Sequence, residues 1–154
     1  MGGDLSAAPA GKTPRFLVHV AKDPKGAHLD RAQMIKGWRD ASGTTHERIY
    51  DIAWSGERAR GADGQLAAVG NTVDLATGTY TNDVGAPELA TVWQDPEFDA
   101  SQSAFYYVRV LQIPTPRHSL FDALALGIDP GELEGPTTIQ ERAYTSPIWY
   151  KPTR

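Results

Sequence analysis

The chain has 154 residues, of which 40% are hydrophobic and 22% are charged, and it contains no cysteine. This length suits one domain with a real core, and the composition excludes wholesale disorder and fibrous sequence. The lack of cysteine excludes disulfide scaffolds and thiolate chemistry. The net charge of −4, without a basic stripe, argues against nucleic-acid binding. No apolar run approaches the roughly 20 residues of a membrane span, and the N-terminus does not have the pattern of a secretory signal.

Alternating apolar residues predict strands in three parts of the chain. Residues 15–21 (RFLVHVA) alternate, after an N-terminal segment 1–14 that is predicted to be irregular. Residues 31–39 and 47–54 also alternate, and the short Gly-ending loop between them predicts a β-hairpin. Residues 104–112 (AFYYVRVLQ) have the strongest strand pattern, apolar on both faces as in a central strand.

Two short segments carry helix signals. Residues 86–92 place Pro87 where a first helical turn favours proline, so they predict one or two helical turns. Residues 119–127 predict a helix with Ser119 as the N-cap and Gly127 just after the last turn.

The end of the chain and its loops complete the fold prediction. Residues 148–150, directly after Pro147, predict a last strand at an edge or a bulge. Residues 55–70 and 93–103 are predicted to be polar loops. Together, these elements predict a mainly β fold: an antiparallel β-sandwich, Ig-like or jelly-roll-like, over residues 15–154, with one or two short helices and long loops.

The chain contains no recognised catalytic motif. Its four histidines are scattered, and it has no nucleophile elbow, dinucleotide motif or phosphate-binding loop. Asp95, Glu97 and Asp99 alternate like the first ligands of a calcium loop, but Ala100 and Tyr106 stand where that loop needs glycine and glutamate. The pattern therefore favours a solvated acidic loop over a calcium site.

Aromatic residues and one arginine remain to be explained. Most of the four Trp, six Tyr and four Phe lie on apolar strand faces, so core packing is the default, and a platform for sugars or bases is the alternative. Arg109 lies between apolar residues of its strand, which predicts either a carboxylate partner, Glu141 or Asp51, or a contact with a partner molecule.

Six ordered blocks of the chain resemble a known family. They are MGGDL (1–5), LDRAQMIKGW (29–38), ERIYDIAWSG (47–56), GNTVDLATGTYTN (70–82), FYYVRVLQIPTPR (105–117) and IQERAYTSPIWY (139–150). Together they resemble the C-terminal part of a bacterial family catalogued as domain of unknown function 3604, whose members are several times longer than this chain. The resemblance implies that the chain, which starts at Met1 within a family block, is a fragment.

The resemblance also implies a chemistry for the family. The N-terminal part of its members looks like a PHP-type (polymerase and histidinol phosphatase) domain, a distorted TIM-like barrel with His and Asp metal ligands. The family is therefore expected to consist of metal-dependent hydrolases of phosphate or similar esters. A divalent metal is expected in that N-terminal domain. No cofactor, metal ligand or catalytic residue is predicted within this chain.

The first functional hypothesis is an accessory domain, not catalytic on its own, beside the N-terminal hydrolase domain of the same or a companion chain. One edge of its sandwich should then expose apolar residues that the barrel covers. Arg117, His118, Asp95 and Glu97 are the candidates for contact with the substrate cleft. His118 stands where family members have an aromatic residue, which is a departure from the family pattern.

The second hypothesis is a stand-alone binding module for a carbohydrate or a cell-surface ligand. It requires an exposed, coplanar aromatic pair on one face. Burial of all four tryptophans would remove its main support. An independent enzyme has little support in the sequence.

Overall fold

A computed structural model of the protein describes residues 2–5 and 12–152. One α-helix, α1 (His118–Leu126), and one 3-10 helix (Pro130–Glu132) accompany the strands of the described chain. The strands, in chain order, are β1 (Gly3–Leu5), β2 (Arg15–Ala21), β3 (Leu29–Arg39), β4 (Thr45–Trp54), β5 (Glu88–Gln94), β6 (Ala104–Gln112), β7 (Thr115–Pro116), β8 (Thr138–Ile139), β9 (Arg142–Tyr144) and β10 (Ile148–Tyr150). Neither helix is long and apolar enough to cross a membrane.

The large sheet is built around β6, which is paired along both edges. β3 lies antiparallel on one edge, and β4 follows as the second strand of the predicted hairpin. On the other edge, β10 pairs with the first residues of β6 and β9 with later ones. β1 then pairs in parallel with β10, so the order is β1-β10-β6-β3-β4 with β9 beside β6. The strands predicted at 15–21 and 104–112 and at the chain end are confirmed.

A second, two-stranded antiparallel sheet of β2 and β5 covers one face of the large sheet. Phe16 and Leu89 of this small sheet join Met34, Tyr106 and Val108 of the large sheet in one buried cluster. Because side chains alternate along each strand, every second residue reaches this layer. Each large apolar side chain that is fully buried there contributes about 1.5–3 kcal/mol. The prediction of a mainly β sandwich with antiparallel strands and one helix is confirmed.

The helical turns predicted for residues 86–92 are wrong, because this region forms β5. Pro87 and Glu88 are a local signal for a helix start, but they lie at the beginning of a strand that pairs with all seven residues of β2. Leu89 and Trp93 alternate towards the core, so tertiary pairing overrides the local preference. The polar loop predicted from residue 93 consequently starts later, after Gln94.

The predicted N-cap of the helix and the predicted irregular N-terminal segment are also corrected. Ser119 is not the N-cap of α1; the cap position is Arg117, and the Ser119 hydroxyl donates to the Pro136 carbonyl instead, at 3.4 Å. Gly127 ends the helix in the left-handed conformation, φ 67°, as predicted. Within residues 1–14, predicted to be irregular, Gly3–Leu5 form β1, while residues 6–11 lie outside the described residues.

Candidate functional site

The outward face of the large sheet carries a row of four aromatic side chains. Phe105 and Tyr107 alternate along β6 with the core residues, and β10 and β9 place Trp149 and Tyr144 beside them. The ring centroids are 5.2 Å apart for Trp149 and Phe105, and 6.3 Å apart both for Phe105 and Tyr107 and for Tyr107 and Tyr144. We call these four residues the aromatic face.

The aromatic face is open to solvent. Tyr144 is 58% exposed and Trp149 is 46% exposed, while Phe105 and Tyr107 are half-buried. The Phe105 and Tyr107 rings are nearly parallel, with an angle of 9° between their planes. None of the four side chains is fully buried. Contiguous apolar surface of this kind marks an interaction site more often than scattered apolar residues do.

Gly37 of β3 explains why the Phe105 ring can lie flat on the sheet. The two residues are directly opposite each other in the ladder between β3 and β6. A Cβ atom at position 37 would run into the Phe105 ring. Glycine in a strand often marks such a close approach, because it leaves room for a neighbouring ring.

A polar row borders the aromatic face next to Tyr144. The Arg109 Nε donates to Gln33 Oε1 at 2.8 Å, and Gln33 Nε2 donates to Asp51 Oδ1 at 2.7 Å. The direct carboxylate partner predicted for Arg109 is therefore wrong for Asp51, which Arg109 reaches only through Gln33. No hydrogen bond or ion pair joins Arg109 to Glu141 within the described chain.

On the opposite, inward face of the sheet lies a buried ion pair, Lys36 with Asp95. Lys36 Nζ is 2.6 Å from Asp95 Oδ2, and the two side chains are only 4% and 0% exposed. The Tyr106 hydroxyl donates to the same carboxylate oxygen at 2.7 Å, and Lys36 Nζ also donates to the Glu97 carbonyl at 2.7 Å. Burial, and secondarily the bond to Asp95, raises the pKa of Tyr106, so its hydroxyl stays a neutral donor.

Glu97 lies at the surface above this ion pair and binds two side chains of β4. The Tyr50 hydroxyl donates to Glu97 Oε2 at 2.8 Å, and Arg48 pairs with Glu97 Oε1. The hydrogen bond from Tyr50, followed by that from Arg48, lowers the pKa of Glu97 below its usual value. Both carboxylates after β5 thus hold the following loop against β3, β4 and β6.

The four predicted cleft residues fall into two separate groups. Asp95 and Glu97 belong to the network just described, whereas Arg117 and His118 lie at the start of α1. The Arg117 amide donates to the Thr137 carbonyl at 2.9 Å, and the His118 side chain is exposed. Within the described chain, no hydrogen bond or ion pair joins the two groups.

The acidic alternation after β5 is not a solvated loop throughout. Asp95 is 2% exposed, because its carboxylate accepts from Tyr106 and from the Glu97 amide and pairs with Lys36. Asp99 instead accepts from Ser101 at the surface. Among residues 2–5 and 12–152, no three His, Asp or Glu side chains are grouped so that they could hold a metal ion.

Sequence reasoning did not identify Lys36 as a partner of Asp95, although a signal was present. Lys36 occupies the same face of β3 as Ala32, Met34 and Trp38. A lysine at an inward position of a strand requires a buried counter-charge, since an unpaired ammonium is costly to bury. This requirement predicts a carboxylate nearby, without saying which one.

Two comparisons with known proteins gave no match, and one gave a family. Residues 1–152 match the family model described as "Protein of unknown function (DUF3604)". No curated protein and no solved structure matches the chain.

Proposed function

The chain belongs to the DUF3604 family, and from this premise we propose that it is an accessory domain, not catalytic on its own, of a PHP-like metal-dependent hydrolase. The partner is the hydrolase domain of the same or a companion polypeptide, and this partner holds the divalent metal. The observation that carries the proposal is the aromatic face, a row in which Trp149 and Tyr144 are exposed and Phe105 and Tyr107 are half-buried.

The shape and chemistry of the aromatic face support docking of another domain. The face consists of side chains on one side of β6, β9 and β10, and a sheet face of this kind is complementary to another layer of secondary structure. Aromatic side chains supply much of the energy of protein interfaces, because they bury a large area with few rotatable bonds. Ile49 of β4 extends the apolar surface beyond Tyr107, since both residues flank Ile35 in the sheet.

The prediction that Arg117, His118, Asp95 and Glu97 contact the substrate cleft stays a prediction. Glu97 and His118 have the exposure that such a contact needs. Asp95 is buried with Lys36, so its part in a cleft would be to position the loop that carries Glu97. Alanine substitutions that leave the kinetics of the complete hydrolase unchanged would contradict this prediction.

The docking experiment begins with the gene. We propose to read the coding sequence around this chain, express the PHP-like domain found there, and titrate it with the chain by calorimetry. The double variant Tyr144→Ala/Trp149→Ala should weaken the complex at least about tenfold, because each truncation removes a half-exposed ring from the interface.

A matched control uses apolar residues away from the aromatic face. Leu75 and Leu126 are 43% and 73% exposed, in a loop and in α1. The variant Leu75→Ala/Leu126→Ala should bind like the unmodified chain. Equal weakening by both double variants, or a neighbouring gene region that encodes no hydrolase domain, would contradict the proposal.

A stand-alone carbohydrate-binding sandwich is the second candidate function. The nearly parallel Phe105 and Tyr107 rings and the exposed Trp149 favour it, because sugar rings stack on such surfaces. Cellohexaose and chitohexaose are suitable probes, with Trp149 fluorescence as the readout. Saturable quenching that Trp149→Ala abolishes would favour this candidate, and an unchanged signal would leave the accessory domain as the better explanation.

A further inference from the structure

One edge of the small sheet has backbone groups without a partner. The Lys22 amide donates to the Pro87 carbonyl at 2.9 Å, so these two residues form a hydrogen-bonded pair of the antiparallel ladder. Bonded and non-bonded pairs alternate along such a ladder. The N–H and C=O groups of Leu17, His19 and Ala21 therefore point away from β5. They have no backbone partner among the described residues.

This free edge of β2 borders an apolar groove of about 800 Å³. Phe16, Val18 and Val20 of β2 form one wall. Across the groove, Leu5 of β1 and Ile148 of β10 line the surface of the large sheet. The large sheet thus extends by two strands beyond β6, and the small sheet has no strand above that extension.

The other side of the sandwich is closed in a different way. At the β5 edge, the Trp93 ring lies 5.2 Å from the ring of Tyr50 on β4. No residue of β5 lines the groove. The space between the two sheets is therefore filled by side chains at the β5 edge, whereas it is open at the β2 edge, where the small sheet has room for another strand.

We propose that the β2 edge binds an extended polypeptide segment as a third strand of the small sheet. The backbone of the segment would pair with Leu17 and His19, and its inward side chains would fill the groove. Edge strands usually resist such addition with charged side chains, proline or a bulge. Arg15 and Lys22 lie only at the two ends of this edge, and residues 16–21 between them contain none of these features. An alternating segment with apolar residues at every second position is the matching partner, as in other cases of strand addition.

The geometry favours a segment of a partner over a second copy of this chain. In a second copy, β2 lies above β6 of its own large sheet, which also extends beyond β6. If two β2 strands paired antiparallel, both extensions would need the same space, so a second copy does not fit in that arrangement.

The area and position of the groove indicate where the segment comes from. A single strand buries far less than the roughly 1,600 Å² of a standard stable interface, so the segment needs a second contact. Tyr107 and Tyr144 line the groove and also belong to the aromatic face. We therefore assign the segment to the partner docked on that face, a step that rests on the proposed function.

The test uses a probe peptide with the sequence of β5, ELATVWQ, capped at both ends. β5 already pairs with β2, and its alternation of Leu, Thr and Trp suits the groove. Nuclear magnetic resonance of the labelled chain should show saturable binding below about 1 mM, as expected for a single strand. The amides of Leu17 and His19 should exchange more slowly when the peptide is bound.

Three variants separate backbone pairing from other effects. His19→Pro removes an N–H that points into the groove and leaves the bonds between β2 and β5 intact, so it should weaken peptide binding at least about tenfold. His19→Ala keeps this N–H, and Ala90→Pro removes the N–H of the directly opposite residue at the far edge. Both should bind within about twofold of the unmodified chain.

The outcomes distinguish this inference from the proposed function. Trp149→Ala should leave peptide binding unchanged, even where it weakens docking of the hydrolase domain. The inference is overturned if the peptide does not bind or if His19→Pro binds it normally. It is also overturned if the amides of Leu17 and His19 are protected without peptide, which would assign the edge to this chain itself. If the protection of these amides grows with protein concentration, a second copy of the chain binds this edge, and the inference is overturned in that case too.

Discussion

Removing the charge of Lys36 should be among the most destabilising single changes in this domain. Lys36→Met keeps an unbranched side chain one atom shorter and leaves Asp95 as a carboxylate without a counter-charge that is 0% exposed. Breaking a buried pair in this way costs about 3–5 kcal/mol. For a domain of this size, 1 kcal/mol corresponds to about 2–4 °C, so Tm should fall by about 6–20 °C.

The matched control is Arg48→Met, which breaks the neighbouring pair with Glu97. Both side chains of that pair are about half-exposed, at 54% and 44%, so solvent screens their attraction and the loss should be far smaller than for Lys36→Met. Urea unfolding followed by tryptophan fluorescence measures both variants under the same conditions.

A double variant tests whether the unpaired charge is the cause. Lys36→Met/Asp95→Asn removes both charges and retains an acceptor near Tyr106. It should be more stable than Lys36→Met alone, because no buried charge is left without a partner. A loss below about 1 kcal/mol for Lys36→Met, or a loss equal to that of Arg48→Met, would refute the reasoning.

Three further changes have expected outcomes in urea unfolding. Gly37→Ala should cost about 1–3 kcal/mol, because the new Cβ displaces the Phe105 ring, whereas Gly3→Ala, with open space at its Cβ, should stay within about 0.5 kcal/mol. Gly127→Ala should cost about 1–2 kcal/mol, because φ at this position is 67°. The contribution of Tyr106 to stability should be constant up to the usual tyrosine pKa of 10.0 and fall above it, because the raised pKa of Tyr106 lets only the unfolded state lose that proton. Tyr106→Phe should show a shallower alkaline loss in a series from about pH 8 to 11, and an unchanged slope would contradict the assignment.

The strand pattern of the chain was largely predictable, because alternation reports directly on burial. The strands at 15–21 and 104–112 and the hairpin before residue 55 follow from it. β5 was not predictable in the same way. Its first residues, Pro87 and Glu88, suit a helix start, and only pairing with the distant β2 selects the extended conformation.

The aromatic face shows a different limit of sequence reasoning. Both faces of β6 are apolar, which predicts a strand buried on both sides. β6 is indeed central in its sheet, but Phe105 and Tyr107 on its outward side are only half-buried, and Tyr144 and Trp149 beside them are exposed. An apolar outward face therefore has the same pattern whether it is buried within the domain or kept for a partner. Tyr144 and Trp149 join the face only because β9 and β10 share one edge of β6.

The pairing of β1 with β10 sets the order of events during synthesis. Gly3, near the beginning of the chain, lies beside Ile148, near its end, and the two strands run in the same direction. Contacts between residues so far apart in sequence form slowly, because a long loop must close before they contribute. On the ribosome, β1 emerges before β10 and remains without this partner until β10 follows. Folding of the large sheet is thus completed only after residues 148–150 have left the exit tunnel. A stalled chain that ends before Pro147 should carry β1 as an unpaired, protease-sensitive strand.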